Sequence, residues 1–273
     1  MTLRSPEEAE VLARFGQQYR QGQTQVMRDI ERAVCGCDYG STSWTTQDEA
    51  DRVAELLEMG AGKRLLDLGA GAGWPGLYLA RRTGCHVTLA DIPIEGLRIA
   101  ARRAAADQLS AEVWVLVSDG ALLPFKNASF DAIGHSDVLC CLKEKVSVLI
   151  ECRRIIRAAG RMAFSVISIA PSLSPAEYRR AVAAGPPFKA VSSDYPAMLA
   201  RTGWVMLRTL DLTAAYAASV RQRLGEEEAN TDALIKILDE VEFAETILRR
   251  RRTSEAINDG LLRRELMVAR AAG

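Results

Sequence analysis

Three glycines alternate in the segment Asp67-Leu68-Gly69-Ala70-Gly71-Ala72-Gly73-Trp74-Pro75-Gly76, which follows the apolar pair Leu65-Leu66. Such a turn lets the backbone approach a ligand where a side chain would intrude. Pro75 suits the first turn of a helix behind it. Strand, glycine turn and helix in that order bring a nucleotide-like ligand to the carboxyl end of the first strand of an α/β sheet. Two ligand patterns fit. Gly71-Ala72-Gly73-Trp74-Pro75-Gly76 satisfies the dinucleotide pattern G-x-G-x-x-G to the letter. Asp67 argues against it, because a carboxylate this close to the loop would face a pyrophosphate, where negative charge is unfavourable. It suits a ligand with a cationic ammonium and sulfonium.

Two further acids fall at strand ends. Asp91 closes the run His86-Val87-Thr88-Leu89-Ala90-Asp91, where a carboxylate can accept hydrogen bonds from both hydroxyls of a ribose. Dehydrogenases share that feature. Asp119 follows Val117-Ser118 and can accept from the amino group of an adenine. The pieces Leu123-Pro124-Phe125 and Ser129-Phe130-Asp131 then lead into the next strand.

The elements that must position these groups alternate. Strands are expected at Arg64 to Leu68, His86 to Ala90, Val113 to Val117, around Ala132 to Gly134, and at Arg161 to Ser168. Helices are expected between them, at Pro75 to Thr83, Ile94 to Asp107 and Lys145 to Ile156. That alternation predicts a parallel sheet covered on both faces, a doubly wound α/β fold. Before it, residues 7 to 34 carry apolar residues at helical spacing, and a second helix spans Thr46 to Met59. After it come a helix over Tyr195 to Thr202 and a strand over Trp204 to Leu210. Thr213 to Asn258 is helical throughout, with Leu234, Ile237, Leu238, Val241, Ile247 and Leu248 as its apolar face. A last strand covers Glu265 to Arg270. The chain is expected to be one domain over 1-273: an N-terminal helical cap at 1-59, an α/β core at 60-212, and a helical insertion at 213-262 that serves as a lid or an oligomerisation element. Arg249 to Arg252 is expected to be a solvated helix end, since the same insertion carries Glu226-Glu227-Glu228.

With these residues in hand, the sequence resembles the class I S-adenosylmethionine-dependent methyltransferases, in the branch of quinone-biosynthesis and phosphoethanolamine methyltransferases. The similarity runs over roughly residues 38 to 170 and includes Glu151 to Met162, although Ala158-Ala159 stand where relatives carry Lys/Arg-Pro. It implies a seven-stranded Rossmann-like sheet with its last strand antiparallel, and S-adenosyl-L-methionine as cofactor. Carried over by position, it implies that Gly69, Ala70 and Gly71 meet the methionine part with Asp67 near its amino group. Asp91 would hold the ribose and Ile92 pack on the adenine. Asp119, Gly120 and Ala121 would read the adenine edge, and Ser136 would lie beside the sulfonium.

Methyl transfer asks mainly for alignment and exclusion of water, with a base only where the nucleophile must lose a proton. The expected catalytic candidates are Tyr39, His135 and Asp137. Tyr39 lies in Asp38-Tyr39-Gly40-Ser41-Thr42-Ser43-Trp44, similar to the segment that covers the cofactor in phosphoethanolamine methyltransferases, which makes it a candidate cofactor contact as well. The family's histidine falls at Cys141 here, so its tyrosine–histidine pair does not transfer directly.

The composition sets outer limits. In 273 residues Lys+Arg and Asp+Glu both number 35, so nothing global draws the chain to nucleic acid or an anionic membrane. The expected partner is a small-molecule acceptor, with oxygen the favoured atom over nitrogen and carbon, and a homodimer is a further expectation. An acidic N-terminus without an apolar run, together with cysteines in apolar stretches, predicts a cytoplasmic protein. With two histidines and no C-x-x-C pair, no metal site is expected. Two other classes fit less of the chain: a nicotinamide-dependent oxidoreductase leaves Asp67 unexplained, and a non-catalytic adenosine-binding regulator leaves the lid helices unexplained.

Overall fold

In a computed structural model, which describes residues 5–110, 112–191 and 194–272, the run Arg64–Leu68 forms an inner strand of a seven-stranded sheet. The strands are β1 (Arg64–Leu68), β2 (His86–Asp91), β3 (Val113–Val117), β4 (Phe130–Ser136), β5 (Ile156–Ile169), β6 (Trp204–Asp211) and β7 (Leu262–Ala271). Their order is β3-β2-β1-β4-β5-β7-β6. β7 pairs antiparallel with both β5 and β6, and the other neighbours run parallel. This is the doubly wound sheet that the alternation predicts, with the antiparallel last strand that the resemblance implies. The first four residues, part of the N-terminal stretch considered above, lie outside the described residues.

Alternate side chains explain the two faces. Leu65 points into a cluster with Val87, Leu89, Leu97 and Val113, whereas Leu66 and Leu68 point the other way, toward Ile133, Phe164 and Met267. Helices α4 (Gly76–Thr83), α5 (Ile94–Ala106) and α6 (Lys145–Ile155) are the crossovers. β1 and β4 are adjacent although β2 and β3 lie on the other side of β1, so chain direction across the sheet reverses there and a crevice opens at the strand ends.

The remaining helices gather over that crevice or beside it. Residues 7 to 34 form two helices rather than one, α1 (Pro6–Gly22) and α2 (Gln25–Cys35). The break has a packing cause: a Cβ on Gly22 would fall 2.6 Å from the carbonyl oxygen of Gly40, so the chain turns where two backbones touch. Helix α3 (Gln47–Leu56) leads into β1. An unforeseen helix, α7 (Pro175–Ala183), follows β5, and α8 (Tyr195–Arg201) precedes β6. Between β6 and β7 run α9 (Thr213–Ala229) and α10 (Thr231–Asn258), the latter broken at Asp239, whose φ is 58°. The break shifts the helical phase. Leu234, Leu238 and Ile247 are buried, but Val241 is 69% and Leu248 48% exposed, so the single apolar face expected there is two faces. Among the described residues, no helix is long and apolar enough to cross a membrane.

Candidate functional site

The glycine turn after β1 is held by its neighbours on the sheet. Gly69 N–H donates to the Ala90 carbonyl at 2.7 Å, and Gly71 N–H donates to the Asp91 carboxylate at 2.8 Å. The other Asp91 oxygen accepts the Ile92 N–H at 2.7 Å. A Cβ on Gly96, in the first turn of α5, would fall 2.7 Å from the carbonyl carbon of Gly71. From the other side comes Tyr19 of α1, whose hydroxyl would lie 2.6 Å from a Cβ on Gly71. The turn is thus pressed between α5 and an N-terminal helix, and at φ 50° Gly71 sits where side chains are rarely tolerated.

A cavity of about 370 Å³ opens above it, within the range of small-molecule sites. Asp67, Gly69, Ala70, Gly71, Asp91, Ile92 and Ser136 line its floor. Phe15 and Tyr19 of α1, together with Ser41, Thr42, Ser43 and Trp44, form its roof. The roof strap is fastened from below. Buried Glu31 of α2 accepts the N–H groups of Gly40 at 2.6 Å and Ser41 at 3.0 Å, as well as the Ser41 hydroxyl.

The floor is electron-rich and short of donors. Asp67 accepts the Gly76 N–H at 3.0 Å, at the start of α4, yet burial pushes its carboxyl up to about 7. Burial likewise pushes Asp91 up to about 6, against the pull of its two N–H donors. Two carboxylates that are costly to ionise when dry, facing one cavity, suit a ligand bringing an ammonium and a pair of hydroxyl donors. The glycine cradle, which a Cβ at residue 69 would fill against Val138, leaves room for it. The residues present therefore fit S-adenosylmethionine.

Several expected residues stand elsewhere. Tyr39 does not line the cavity. It is 5% exposed, its ring 5.1 Å from that of Trp74 and 3.7 Å from the Arg103 guanidinium, so it packs where it was expected to contact cofactor and acceptor. Burial raises its hydroxyl to about 12. Within the strap around it, Ser41 to Trp44 are the residues that reach the cavity. His135 lies beneath the floor, 3% exposed and stacked on Phe164 at 4.7 Å, with neither ring nitrogen hydrogen-bonded among the described residues. Burial lowers its pKa to about 3, which favours the neutral ring, and the side chain stands outside the cavity lining where a catalytic role was expected.

Asp137 does border the cavity, but its carboxylate is taken. Both oxygens lie 3.1 Å from the Nε of Arg264, a fully buried β7 side chain that also holds Glu49 of α3 at 2.9 Å. Asp119, Gly120 and Ala121 sit at the end of β3 beyond the cavity lining, where Asp119 accepts the Ala121 N–H at 3.0 Å. Ser118 N–H bonds the Asp91 carbonyl at 2.9 Å, which keeps that strand end beside the floor. Sequence reasoning missed Tyr19, which lies within residues 7 to 34, read only as a helical stretch with apolar spacing. Its hydroxyl bonds the Thr42 side chain, and burial and the charge of Asp91 raise its pKa well above the ordinary value.

Residues 66–164 match the family model of a methyltransferase domain. The methyltransferase GfsG of Streptomyces halstedii is 29% identical over 171 residues, 60% of each chain. The 27-O-demethylrifamycin SV methyltransferase of Amycolatopsis mediterranei (strain S699) is 31% identical over 122 residues, 45% of each chain. The matches thus span under two thirds of these relatives' lengths. A phosphoethanolamine N-methyltransferase 2 of Haemonchus contortus, solved with phosphomonomethylethanolamine and S-adenosylhomocysteine, shares the fold. Its TM-score is 0.77 at 15% identity, over 95% of this chain and 61% of that one.

Proposed function

We propose that this chain, whose core is a class I S-adenosylmethionine-dependent methyltransferase domain, methylates an oxygen of a small-molecule acceptor and releases S-adenosylhomocysteine. The observation that carries the reading is the pair Asp67 and Asp91, both facing one covered cavity beside a glycine cradle. When bound, the cofactor supplies a methyl group already activated on sulfonium. The rest falls to the chain. Asp91 orients the ribose, Asp67 faces the ammonium, and Tyr19 with the Ser41–Trp44 strap excludes water and narrows the approach of the acceptor.

Proton removal is the step for which the cavity is least equipped. His135 is buried beneath the floor, Asp137 is paired, and the raised pKa of Tyr19 keeps its hydroxyl protonated. That favours an acceptor oxygen acidic enough to arrive ionised, such as a carboxylate or a phenol, over an unactivated alcohol. O-methylating relatives stand among the matches and support oxygen, beside others that methylate nitrogen or carbon. Six free cysteines, five of them buried, fit the cytoplasm.

The test is incubation with S-adenosylmethionine carrying a deuterated methyl and a metabolite panel, read by mass spectrometry. Label on an oxygen is the expected result, and label on nitrogen or carbon corrects the atom. If NADH and not S-adenosylhomocysteine stabilises the fold against heat, the methyl-transfer reading is wrong.

A further inference from the structure

A second cavity of about 660 Å³ lies between α1 and α10. It shares walls with the first: Arg14, Phe15, Trp44, Arg249 and Arg250 border both. These residues stand where an inner chamber over the glycine turn meets an outer one under the insertion helices, a junction we call the neck. Arg250 pairs with Glu227 at 3.2 Å and lies 5.1 Å from the Trp44 ring. Glu227 is already held by Arg223 at 2.9 Å, so one carboxylate serves two guanidiniums.

Arg14 and Arg249 have no carboxylate within 4 Å among the described residues. Arg249 is half-buried and donates to the Thr246 hydroxyl at 3.1 Å. Burial, then the like charges of Arg250 and Arg14, lower its pKa, while Glu227 and Glu245 act in the opposite sense. Glu242, on the outer chamber, is occupied by the side-chain amides of Gln17 and Gln21 at 3.2 Å, while Glu10 and Glu245 also border that chamber and Glu8 borders the inner one. Arg14 is exposed and Arg249 half-buried, and neither carries an ion pair among the described residues, so both guanidiniums are free to take an incoming anion. Arg249 to Arg252 do not end a helix, since α10 continues to Asn258; Arg251 and Arg252 are solvated as expected, Arg251 pairing with Glu228 at 2.6 Å, whereas Arg249 turns inward.

We propose that Arg14 and Arg249 bind an anionic group of the acceptor, a carboxylate or phosphate, at the neck, with the acceptor's apolar body in the outer chamber against Leu234, Leu238 and Phe243. This rests on the methyl-transfer reading, which gives the inner chamber to the cofactor. The cofactor's own carboxylate is the other source of such an anion, and the experiment separates the two.

Calorimetric titrations of protein saturated with S-adenosylhomocysteine would use 1-naphthoate, 1-naphthyl phosphate and the uncharged 1-naphthylmethanol. The charged probes should bind at least tenfold more tightly than the alcohol. In the double variant Arg14→Gln/Arg249→Gln that preference should vanish, with S-adenosylhomocysteine affinity within twofold of the parent and an unchanged melting temperature. Arg251→Gln should keep the preference. No charged-probe preference in the parent, or its survival in the double variant, overturns the proposal. A parallel loss of S-adenosylhomocysteine affinity assigns the arginines to the cofactor and overturns it too. If S-adenosylhomocysteine fails to bind the parent, the methyl-transfer reading falls, and the same probes on ligand-free protein still report on the arginine pair.

Discussion

The hydroxyl of Tyr19 stands 2.6 Å from the point where a side chain on Gly71 would begin. One helix of the roof is thus seated directly on the turn that forms the floor. Gly71→Ala should push α1 away and weaken S-adenosylhomocysteine binding at least tenfold in calorimetry. Adding Tyr19→Leu shortens the obstructing side chain, so the double variant should bind better than Gly71→Ala alone. If the second change brings no recovery, the contact is not what limits the turn.

Asp91→Asn keeps the shape of the site but removes its charged acceptor. The expected loss is about 1.5–3 kcal/mol of cofactor affinity, or roughly ten- to a hundredfold in Kd. Titration with S-adenosylhomocysteine measures it, and an unchanged Kd would remove Asp91 from the ribose site.

The pH dependence follows from two raised carboxyls. Asp91 and Asp67 move from an ordinary value of 3.8 to about 6 and about 7 in the ligand-free fold. The fold therefore favours their protonated forms. The stability they contribute is complete below pH 3.8 and is lost as pH rises through about 6 and then about 7. Ribose hydroxyls and an ammonium favour the ionised forms, so S-adenosylhomocysteine affinity should rise over that same window, with protons released on binding. Calorimetry near pH 6 in buffers of different ionisation enthalpy counts those protons. An enthalpy independent of buffer would contradict the assignment.

Tyr39 separates packing from chemistry. Tyr39→Phe retains the ring between Trp74 and Arg103 and should leave both turnover and stability near the parent's. Tyr39→Ala should cost about 3 kcal/mol in urea unfolding, as large-to-small core changes do. Reduced turnover in a stable Phe variant would return Tyr39 to the catalytic residues.

Arg264→Met leaves the half-buried Glu49 and Asp137 without their cation. Loss of one partner from such a group costs about 3–5 kcal/mol. The shift in urea midpoint reads it directly, and a change below about 1 kcal/mol would show that the three charges are weakly coupled.

Much of the scaffold was legible because its signals are local. β1 and β3 begin and end at the residues expected, since each is a short apolar run bounded by turn formers. Asp67, Gly71 and Asp91 are readable because strand ends and a glycine turn fix them within one crossover. The rest depends on contacts between distant segments. Arg264 lies 127 residues from Asp137 and 215 from Glu49, so nothing near Asp137 announced that its carboxylate was engaged. The same holds for Tyr19, whose site role comes from α1 folding back over a turn far along the chain. Helix α7 was missed despite a readable signal: Ser174 and Glu177 form a reciprocal cap around Pro175. At Asp239 a single residue with positive φ reset the helical phase, which no count of apolar spacing anticipates.

The place of β7 between β5 and β6 has a consequence for how the chain is made. The ribosome delivers β6 more than fifty residues before β7, so for that interval β5 and β6 flank an unfilled slot with exposed backbone donors and acceptors on both sides. Arg264 arrives with the same late strand, and only then can the charges of Glu49 and Asp137 be neutralised. Nascent chains arrested before that strand emerges should therefore hold the glycine turn and its crossovers yet remain sensitive to protease across α9 and α10.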